Sequence, residues 1–319
     1  MENTNNKKNI KVAVFGTLSK DLIFDVDSLP NNNTQHIFSN SYIELHGGAA
    51  ANVCAYLAGT LDIDSYIISA VGSDELGKEL VSGMIKLNVN TSGITKIKNT
   101  ISSCIATIQN IRGERLFIVN TGAIDLLSIN DLNIAILNSC DLLYIAPNKR
   151  DDLSSYMIEY CKKKNKLVAF NPGPAYLNSN ERKDIAINLI NKTDFVFFNR
   201  LELLTYSRKN NVDDACEYIL SKGAKYVVVT CDKDGCLVAT KDYKCNIKSL
   251  DLEVIDPTGA GDAFAAGFIG IMLLYNDIES ALEFANGLGA FKVQHKGLRE
   301  IIPKNSDILK LIEKHKSEN

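Results

Sequence analysis

The sequence has no large excess of charge of either sign, which argues against two classes of partner. Its 319 residues carry 35 Lys and Arg against 38 Asp and Glu, a formal net charge of −3. Proteins that bind nucleic acid or anionic membranes usually present a strongly basic patch or domain. We therefore expect neither a nucleic-acid partner nor a membrane partner.

The sequence also lacks an apolar run long enough to cross a bilayer. The almost wholly apolar stretch Ala260–Tyr275 has 16 residues and includes Asp262, whereas a spanning helix needs about 18–20 apolar residues. Residues 1–9 are polar and rich in Asn, unlike a signal peptide. We expect a frayed amino terminus and a cytoplasmic protein.

Cysteine and histidine lack the spacing of a metal or redox motif. The eight cysteines form no C-x-x-C, and the four histidines are scattered. Zinc sites need such ligands at short, regular spacings. We expect reduced, mostly buried thiols and no zinc site.

What the sequence does contain is a series of short apolar, β-rich segments, each followed by a helix-like one. The strand-like segments are residues 10–16, 65–72, 141–147, 166–173, 194–199 and 225–231. Continuous apolar strands that alternate with helices predict a mostly parallel sheet covered on both faces. The predicted fold class is therefore α/β and doubly wound.

Two regions break this alternation. Residues 17–45 and 95–122 are strand-like, with polar turns. They predict a small accessory sheet that serves as a β lid. Since no linker of disordered composition separates them from the rest, we expect one domain over residues 1–319.

The segment "DPTGAGDAFAAGF" (256–268) carries the strongest functional signal. Residues 249–256 before it read as a strand, and a helix is expected to begin at about Gly261. The N–H groups of Gly259, Ala260 and Gly261 would then lie at a helix N-terminus, where anions are favoured. Asp262 has two interpretations, a helix-start carboxylate stabilised by the helix dipole or a functional base.

The combination of features favours the functional interpretation of Asp262. An anion-binding turn stabilises charge on a transferring phosphoryl group, and a neighbouring carboxylate takes the proton of the attacking hydroxyl. Phosphoryl transfer needs these two parts side by side.

The same segment resembles the signature D-x-T-G-A-G-D-x-F-x-x-G of the ribokinase (PfkB) family of sugar and nucleoside kinases. "HGGAAAN" (46–52) resembles its second signature, G-G-x-x-x-N. The resemblance extends over nearly the whole chain through five further segments, "SKDLIF" (19–24), "VGSDELG" (71–77), "NRLE" (199–202), "VVVTCDKDG" (227–235) and "FANGLGAFKVQHKG" (284–297).

The resemblance implies a role for each matching residue on the phosphate side. Asp262 would be the catalytic base, and Gly259, Ala260 and Gly261 would form the anion hole. Asn199 and Glu202 would organise the Mg²⁺-bound water shell and the phosphates of ATP. A purely structural alternative for Asn199 and Glu202 is an N-cap with its capping-box partner.

Other matching positions would bind nucleotide, acceptor or cation. The resemblance implies that Thr230 lies on the nucleotide side and that Asn286 lines the adenine pocket. It assigns the hydroxyl groups of the acceptor to Asp21, Gly47, Gly48 and Asn52. Asp256 matches a position that holds a monovalent cation in some members, so K⁺ joins ATP and Mg²⁺ among the cofactors to test.

Two departures from the family pattern bear on specificity. Ala49 replaces the Lys of ribokinases proper, and Asp232 stands where Gly is usual. The first argues against ribose, and "GGAAAN" resembles the nucleoside-kinase branch. A carboxylate at position 232 would lie near the phosphates of ATP and could weaken nucleotide binding.

The function expected from the resemblance is transfer of the γ-phosphate of ATP to a hydroxymethyl group of a sugar or nucleoside. Asp232 motivates an alternative, a non-catalytic nucleoside or nucleotide sensor on the same fold. A dinucleotide oxidoreductase is disfavoured because no G-x-G-x-x-G follows the first strand. Family members often form dimers through the lid, so we also consider a homodimer.

Overall fold

The computed structural model describes residues 9–34 and 36–318. The amino terminus that we expect to fray is residues 1–9, and residues 1–8 of it lie outside the described range. Within the described residues, the strands form one sheet of nine and a separate sheet of four. In chain order, the strands are β1 (Lys11–Phe15), β2 (Ser19–Val26), β3 (Ser41–Gly47), β4 (Asp64–Gly72), β5 (Asn90–Ile97), β6 (Ser103–Asn110), β7 (Arg115–Asn120), β8 (Leu142–Ile145), β9 (Leu167–Phe170), β10 (Phe195–Asn199), β11 (Tyr226–Thr230), β12 (Cys236–Ala239) and β13 (Lys244–Ile247).

The large sheet has the order β13-β12-β11-β10-β9-β8-β1-β4-β5. From β11 to β5 all neighbours pair in parallel, and β12 and β13 extend the edge with antiparallel pairs. The α-helices that accompany it are α1 (Ala49–Leu61), α2 (Glu75–Lys86), α3 (Ile134–Ser139), α4 (Asp151–Lys163), α5 (Asn180–Ile190), α6 (Arg200–Ser207), α7 (Val212–Ser221), α8 (Ala260–Tyr275), α9 (Ile278–Val293) and α10 (Asn305–Glu318). Among the described residues, none of these helices has both the length and the apolarity of a bilayer span.

The small sheet has the order β3-β2-β6-β7, and we call it the lid. Its strands lie in the two regions that break the strand–helix alternation of the sequence. β5 overlaps the second of these regions at residues 95–97 but belongs to the large sheet, because it pairs in parallel with β4.

The strand predicted over residues 249–256 is wrong. Strand β13 ends at Ile247, and the segment that follows has no regular structure up to α8. The backbone N–H groups of Ile255 and Asp256 instead both donate to the carbonyl of Val293, at the end of α9. The alternating polar and apolar residues of 249–256 therefore lie in a largely exposed connection that pairs with none of the described strands. The end of α9 holds this connection through the carbonyl of Val293.

Helix α8 is buried between the large sheet and two other helices. Glycines make the close packing possible, because a Cβ added at Gly270 would lie 2.2 Å from Leu61 in α1, and one at Gly267 would lie 3.0 Å from Ala285 in α9. On the sheet side, Phe268 meets the ring of Phe197 edge to face. This packing explains the apolar sequence of α8 and fixes its first turn at the carboxyl edge of the sheet.

Candidate active site

A pocket of about 170 Å³ opens beside the first turn of α8. It lies where β10 and β11 end, which is where ligands bind in open α/β sheets. Most of the phosphate-side residues singled out in the sequence line it, together with Asn171: Asn199, Glu202, Thr230, Gly259, Gly261 and Asp262.

The turn before α8 has the backbone geometry of an open helix N-terminus. Gly259 is the N-cap, with a φ of 80° that favours glycine, and no side chain caps the helix. The N–H of Ala260 donates to the carbonyl of Pro257 at 3.2 Å, so this donor is engaged within the turn. A Cβ added at Gly261 would meet no atom within 4 Å, so space for a ligand lies at that residue.

Asp262 is half-buried in the first turn of α8. Burial raises the pKa of its carboxyl group to about 7, and the charge of Asp21 contributes in the same direction. A hydrogen bond from Asn52 and the positive charge of Arg299 both oppose this rise. A carboxyl group with a pKa near neutrality can accept a proton from a hydroxyl group and release it again.

A chain of buried polar side chains holds Asp262 in place. Nδ2 of Asn52 donates to Oδ2 of Asp262 at 2.8 Å, and Nη1 of Arg299 donates to Oδ1 of Asn52 at 2.7 Å. The same Nη1 reaches the carbonyl of Gly47 at 3.1 Å. Since Asn52 and Arg299 are only 2% and 5% exposed, these contacts fix the amide orientation that Asp262 requires.

The predicted acceptor residues lie together between the lid and α1. Oγ of Ser19 donates to Asp21 in lid strand β2 at 2.8 Å, and burial raises the pKa of the Asp21 carboxyl group. Gly47 lies directly against this carboxylate, because an added Cβ would lie 2.3 Å from it. Gly48 has a φ of 100° and would clash with the carbonyl of Thr17 if it carried a side chain.

Asn199 and Glu202 form the capping box that the purely structural interpretation predicts. Oδ1 of Asn199 accepts from the N–H of Glu202 at 2.8 Å, and Oε2 of Glu202 accepts from the N–H of Asn199 at 3.0 Å. Both side chains also line the pocket, and burial raises the pKa of the Glu202 carboxyl group. The two interpretations are therefore compatible, since the capping box presents both groups to the pocket.

The predicted nucleotide residues are placed differently from one another. Thr230 is paired with Asn199 across β10 and β11 and lines the pocket. Asn286, in α9, is absent from that lining, and its Nδ2 donates to the carbonyl of Lys248 at 2.8 Å. Asp232 has a φ of 50°, a conformation that favours Gly but that Asp tolerates.

Asp256 braces the turn that leads into α8. Its Oδ1 accepts from the N–H and the hydroxyl of Thr258, at 3.0 and 2.6 Å, and its Oδ2 accepts from the N–H of Gly297 at 3.1 Å. The lid reaches the same turn, because Nη1 of Arg115 in β7 donates to the hydroxyl of Thr258 at 2.7 Å. These bonds connect the glycine turn, the segment after α9 and the lid.

One pocket thus combines a carboxyl group with a pKa of about 7, an open helix N-terminus and buried polar groups on the lid side. The sequence profile of the pfkB family carbohydrate kinases matches residues 9–305. The chain belongs to this family. The resemblance inferred from the sequence motifs is thereby confirmed.

Relatives of this kinase include proteins of more than one specificity. It is 28% identical over 316 residues to a nucleoside kinase of Methanocaldococcus jannaschii, covering 96% of this chain and 98% of that protein. It is 27% identical over 291 residues to an ATP-dependent ribose-1-phosphate kinase of Halopiger xanaduensis, covering 91% and 94%.

Solved structures confirm the predicted fold of the kinase. A nucleoside kinase of Methanocaldococcus jannaschii, described as an archaeal member of the ribokinase family, matches with a TM-score of 0.79 at 26% identity, covering 96% of this chain and 98% of that chain. Thermotoga maritima ribokinase matches with a TM-score of 0.83 at 21% identity, covering 95% and 99%. The α/β architecture with a small separate sheet is shared.

The sequence motifs missed three residues of the kinase site. Asn171 lines the pocket and lies directly after strand β9, in none of the motifs that carry the family resemblance. Arg299 lies two residues beyond the last motif, and Arg115 lies in a lid strand. For both arginines, nothing in the local pattern signals the long-range contacts that bring them to the site.

Proposed function

We propose that this kinase transfers the γ-phosphate of ATP to a hydroxymethyl group of a sugar or nucleoside. The observation that carries this proposal is the position of Asp262, a carboxyl group with a pKa of about 7 in the first turn of α8. A base and an anion-binding helix terminus in one turn are what in-line phosphoryl transfer to a hydroxyl requires.

In the proposed mechanism Asp262 is the general base. As the acceptor oxygen forms its bond to the γ-phosphorus, the hydroxyl proton moves to a carboxylate oxygen of Asp262. The bond between that phosphorus and the bridging oxygen breaks, and ADP leaves with the electron pair. Backbone N–H groups of Gly259 and Gly261 stabilise the negative charge on the transferring group, and that of Ala260 joins them only when its bond to the carbonyl of Pro257 opens.

The remaining residues bind and orient the substrates. Asn199, Glu202 and Thr230 line the phosphate side of the pocket, and the carboxylate and amide oxygens of the first two fit a hydrated Mg²⁺. When bound, Mg²⁺ neutralises charge on the phosphates of ATP. Asn286, which bonds to the backbone of Lys248, would act at the nucleotide only after that contact rearranges.

The acceptor is proposed to lie between Asp21 and Asn52. The carboxylate of Asp21 can accept hydrogen bonds from hydroxyl groups, and it lies directly against Gly47, where a side chain would collide with it. Asn52 already bonds to Asp262 and Arg299, so a bound hydroxyl group would join an oriented network. Such a site suits vicinal hydroxyl groups of a ribose-like ring.

A coupled ADP-release assay with a panel of acceptors tests the function. The panel consists of adenosine, inosine, cytidine, ribose, ribose 1-phosphate and fructose, each with Mg²⁺ and ATP. We expect turnover on at least one acceptor and a product phosphorylated at its hydroxymethyl group. Turnover on none of them, with ligand binding retained in calorimetry, would support the sensor alternative and reject the proposed kinase reaction.

We also propose a homodimer that forms through the lid. The outer strand β7 exposes consecutive apolar side chains, among them Phe117, Ile118 and Val119 at 56%, 58% and 54%. Since side chains alternate along a strand, Phe117 and Val119 share one face of this edge strand and Ile118 lies on the other. Exposed apolar side chains on an edge strand favour an interface. Light scattering should give twice the chain mass, and Phe117→Glu should reduce it to one chain mass; a wild-type monomer would exclude this dimer.

A further inference from the structure

Lys292 is a buried cation in the last turn of α9, and the mechanism above does not use it. The side chain is 3% exposed. Its Nζ donates to the carbonyl of Asp256 at 3.1 Å and to the carbonyl of His295 at 3.0 Å. Buried lysines are uncommon because the ammonium group loses its hydration. In this protein the two carbonyl groups accept hydrogen bonds that water would accept from an exposed lysine.

The ammonium group joins two separate backbone segments below the glycine turn. One carbonyl belongs to the turn that leads into α8, and the other belongs to the segment after α9. The carboxylate of Asp256 spans the same gap through its bond to Gly297. The lysine also lies close to the turn itself, since a Cβ added at Gly259 would lie 3.7 Å from Cε of Lys292.

The charges around Lys292 are balanced. Burial lowers the pKa of its ammonium group, the carboxylates of Asp256 and Glu300 raise it, and the guanidinium of Arg115 lowers it. The carboxylate of Asp256 thus has Lys292 and Arg115 as cationic neighbours. A further cation at this position would meet two positive charges.

We propose that Lys292 is the built-in cation of the anion-hole turn and that this kinase does not require a monovalent metal ion. The proposal rests on the proposed function only for its effect on turnover. Resemblance to the family places K⁺ beside Asp256, where it would need backbone carbonyl and carboxylate oxygens. Here the carbonyl groups of Asp256 and His295 already bind an ammonium group, which has one positive charge and a size close to that of K⁺.

The positioning role follows from these contacts. By holding the carbonyl of Asp256, Lys292 fixes the start of the turn whose N–H groups face the transferring phosphoryl group. Its charge lies beneath Gly259 and adds to the positive end of the α8 dipole. In this kinase, a tethered side chain would therefore supply the positive charge and the rigidity that a bound ion could provide.

The first test measures the melting temperature in KCl and in choline chloride at equal ionic strength. We expect the wild type to melt at the same temperature in both salts. Lys292→Ala opens space at the two carbonyl groups and should melt lower in choline, with partial recovery in KCl. Lys292→Met fills the space without charge and should melt alike in both salts. The exposed Lys296→Met is the matched control and should behave as the wild type.

The second test measures ADP release by the same proteins in the two salts, at saturating ATP and acceptor. We expect wild-type kcat to change less than about twofold between salts, whereas Lys292→Met should lose about tenfold or more in both, as when an anion-hole donor is lost. Lys292→Ala should lose a similar factor in choline and regain part of it with K⁺ or NH₄⁺. Full activity of Lys292→Met, or strong K⁺ activation of the wild type, would overturn the proposal.

The two readouts separate failure of this inference from failure of the proposed function. If no acceptor gives turnover, the melting experiment still decides whether K⁺ binds the wild type at this position. A melting temperature of the wild type that rises in KCl but not in choline, with the rise lost in Lys292→Met, would show a metal site and reject the built-in cation.

Discussion

Two turns that begin helices in this protein both contain two glycines and an acidic residue, but their helices are capped differently. The first, "GSDELGK" (72–78), begins α2, and the second, "DPTGAGD" (256–262), begins α8. In the first, Asp74 is the N-cap and its Oδ1 accepts from the N–H of Gly77 at 2.9 Å. In the second, Gly259 is the N-cap and no side chain caps the helix.

The difference indicates that a capping side chain can occupy the N–H groups of a helix N-terminus, which an anion would otherwise use. The carboxylate of Asp74 occupies the first turn of α2 and also accepts from the N–H and the hydroxyl of Ser102. In α8 the carboxylate of Asp262 points to Asn52, which leaves the turn free for a ligand. An acidic residue at a helix start is therefore a cap in one case and a candidate base in the other.

The largest expected effect is on turnover when the base is removed. Asp262→Asn should lower kcat by about a thousandfold, since a positioned general base contributes about 10²–10⁴. The hydrogen bond to Asn52 requires only an oxygen, so the fold should be kept. Steady-state ADP release and circular dichroism check this, and a variant that retains full turnover while binding both substrates would refute the assignment.

The same Gly→Ala substitution in the two turns should have opposite consequences. Gly261→Ala meets no atom within 4 Å, so stability should be unchanged while kcat/KM for ATP falls by about tenfold or more through crowding of the anion hole.

Gly77→Ala is the matched partner of that variant. Its Cβ would lie 2.6 Å from the carbonyl of Gly72 and 2.8 Å from Oγ of Ser102, so it should cost about 1–3 kcal/mol of stability. Urea unfolding and ATP kinetics of both variants decide the comparison. Equal effects on both properties would show that the two turns are equivalent.

The pH dependence of activity should follow Asp262. With a pKa of about 7, the active carboxylate form is lost on acidification, so kcat/KM should fall about tenfold per pH unit well below 7 and level off above it. An inflection that stays near 7 in Asp262→Asn would assign the ionisation to another group.

The stability of the fold should depend on pH in the opposite direction to activity, falling where activity rises. The pKa of Asp262 is higher in the folded state than the usual value of 3.8, so the folded state binds the extra proton between these values. Stability should therefore fall as the pH rises from about 4 to 7. The melting temperature of Asp262→Asn should decline less over that range than that of the wild type.

The smallest expected effect belongs to the capped turn. Asp74→Ala removes an N-cap, which should cost about 1–2 kcal/mol of stability, and kcat should stay within about twofold of the wild type. Thermal unfolding and ADP release test this. A large loss of kcat without a loss of stability would mean that the first turn also has a catalytic part.

Most of the fold could be predicted from the sequence, and the reason is local. Six strands of the large sheet are buried and apolar, and each appears in the sequence as a short continuous apolar run. These are β1, β4, β8, β9, β10 and β11. β13 is a four-residue edge strand whose side chains alternate between exposed and partly buried, and β12 beside it is a buried apolar run of only four residues. Residues 249–256 have a strand-like pattern but form no strand. Whether these segments form strands depends on pairing with segments that are distant in the sequence.

For the candidate site, the sequence by itself determined the glycine turn, Asp262 and the capping box Asn199–Glu202, because each lies in a contiguous motif. Only the tertiary structure decided what surrounds them. Arg299 reaches Asn52 and Lys292 reaches Asp256 across 247 and 36 positions of the chain. Local patterns record which residues share a turn, whereas burial and hydrogen-bond partners depend on which segments pack together. Burial between packed segments raises the pKa of Asp262, and hydrogen bonds between segments hold the ammonium group of Lys292 below the turn.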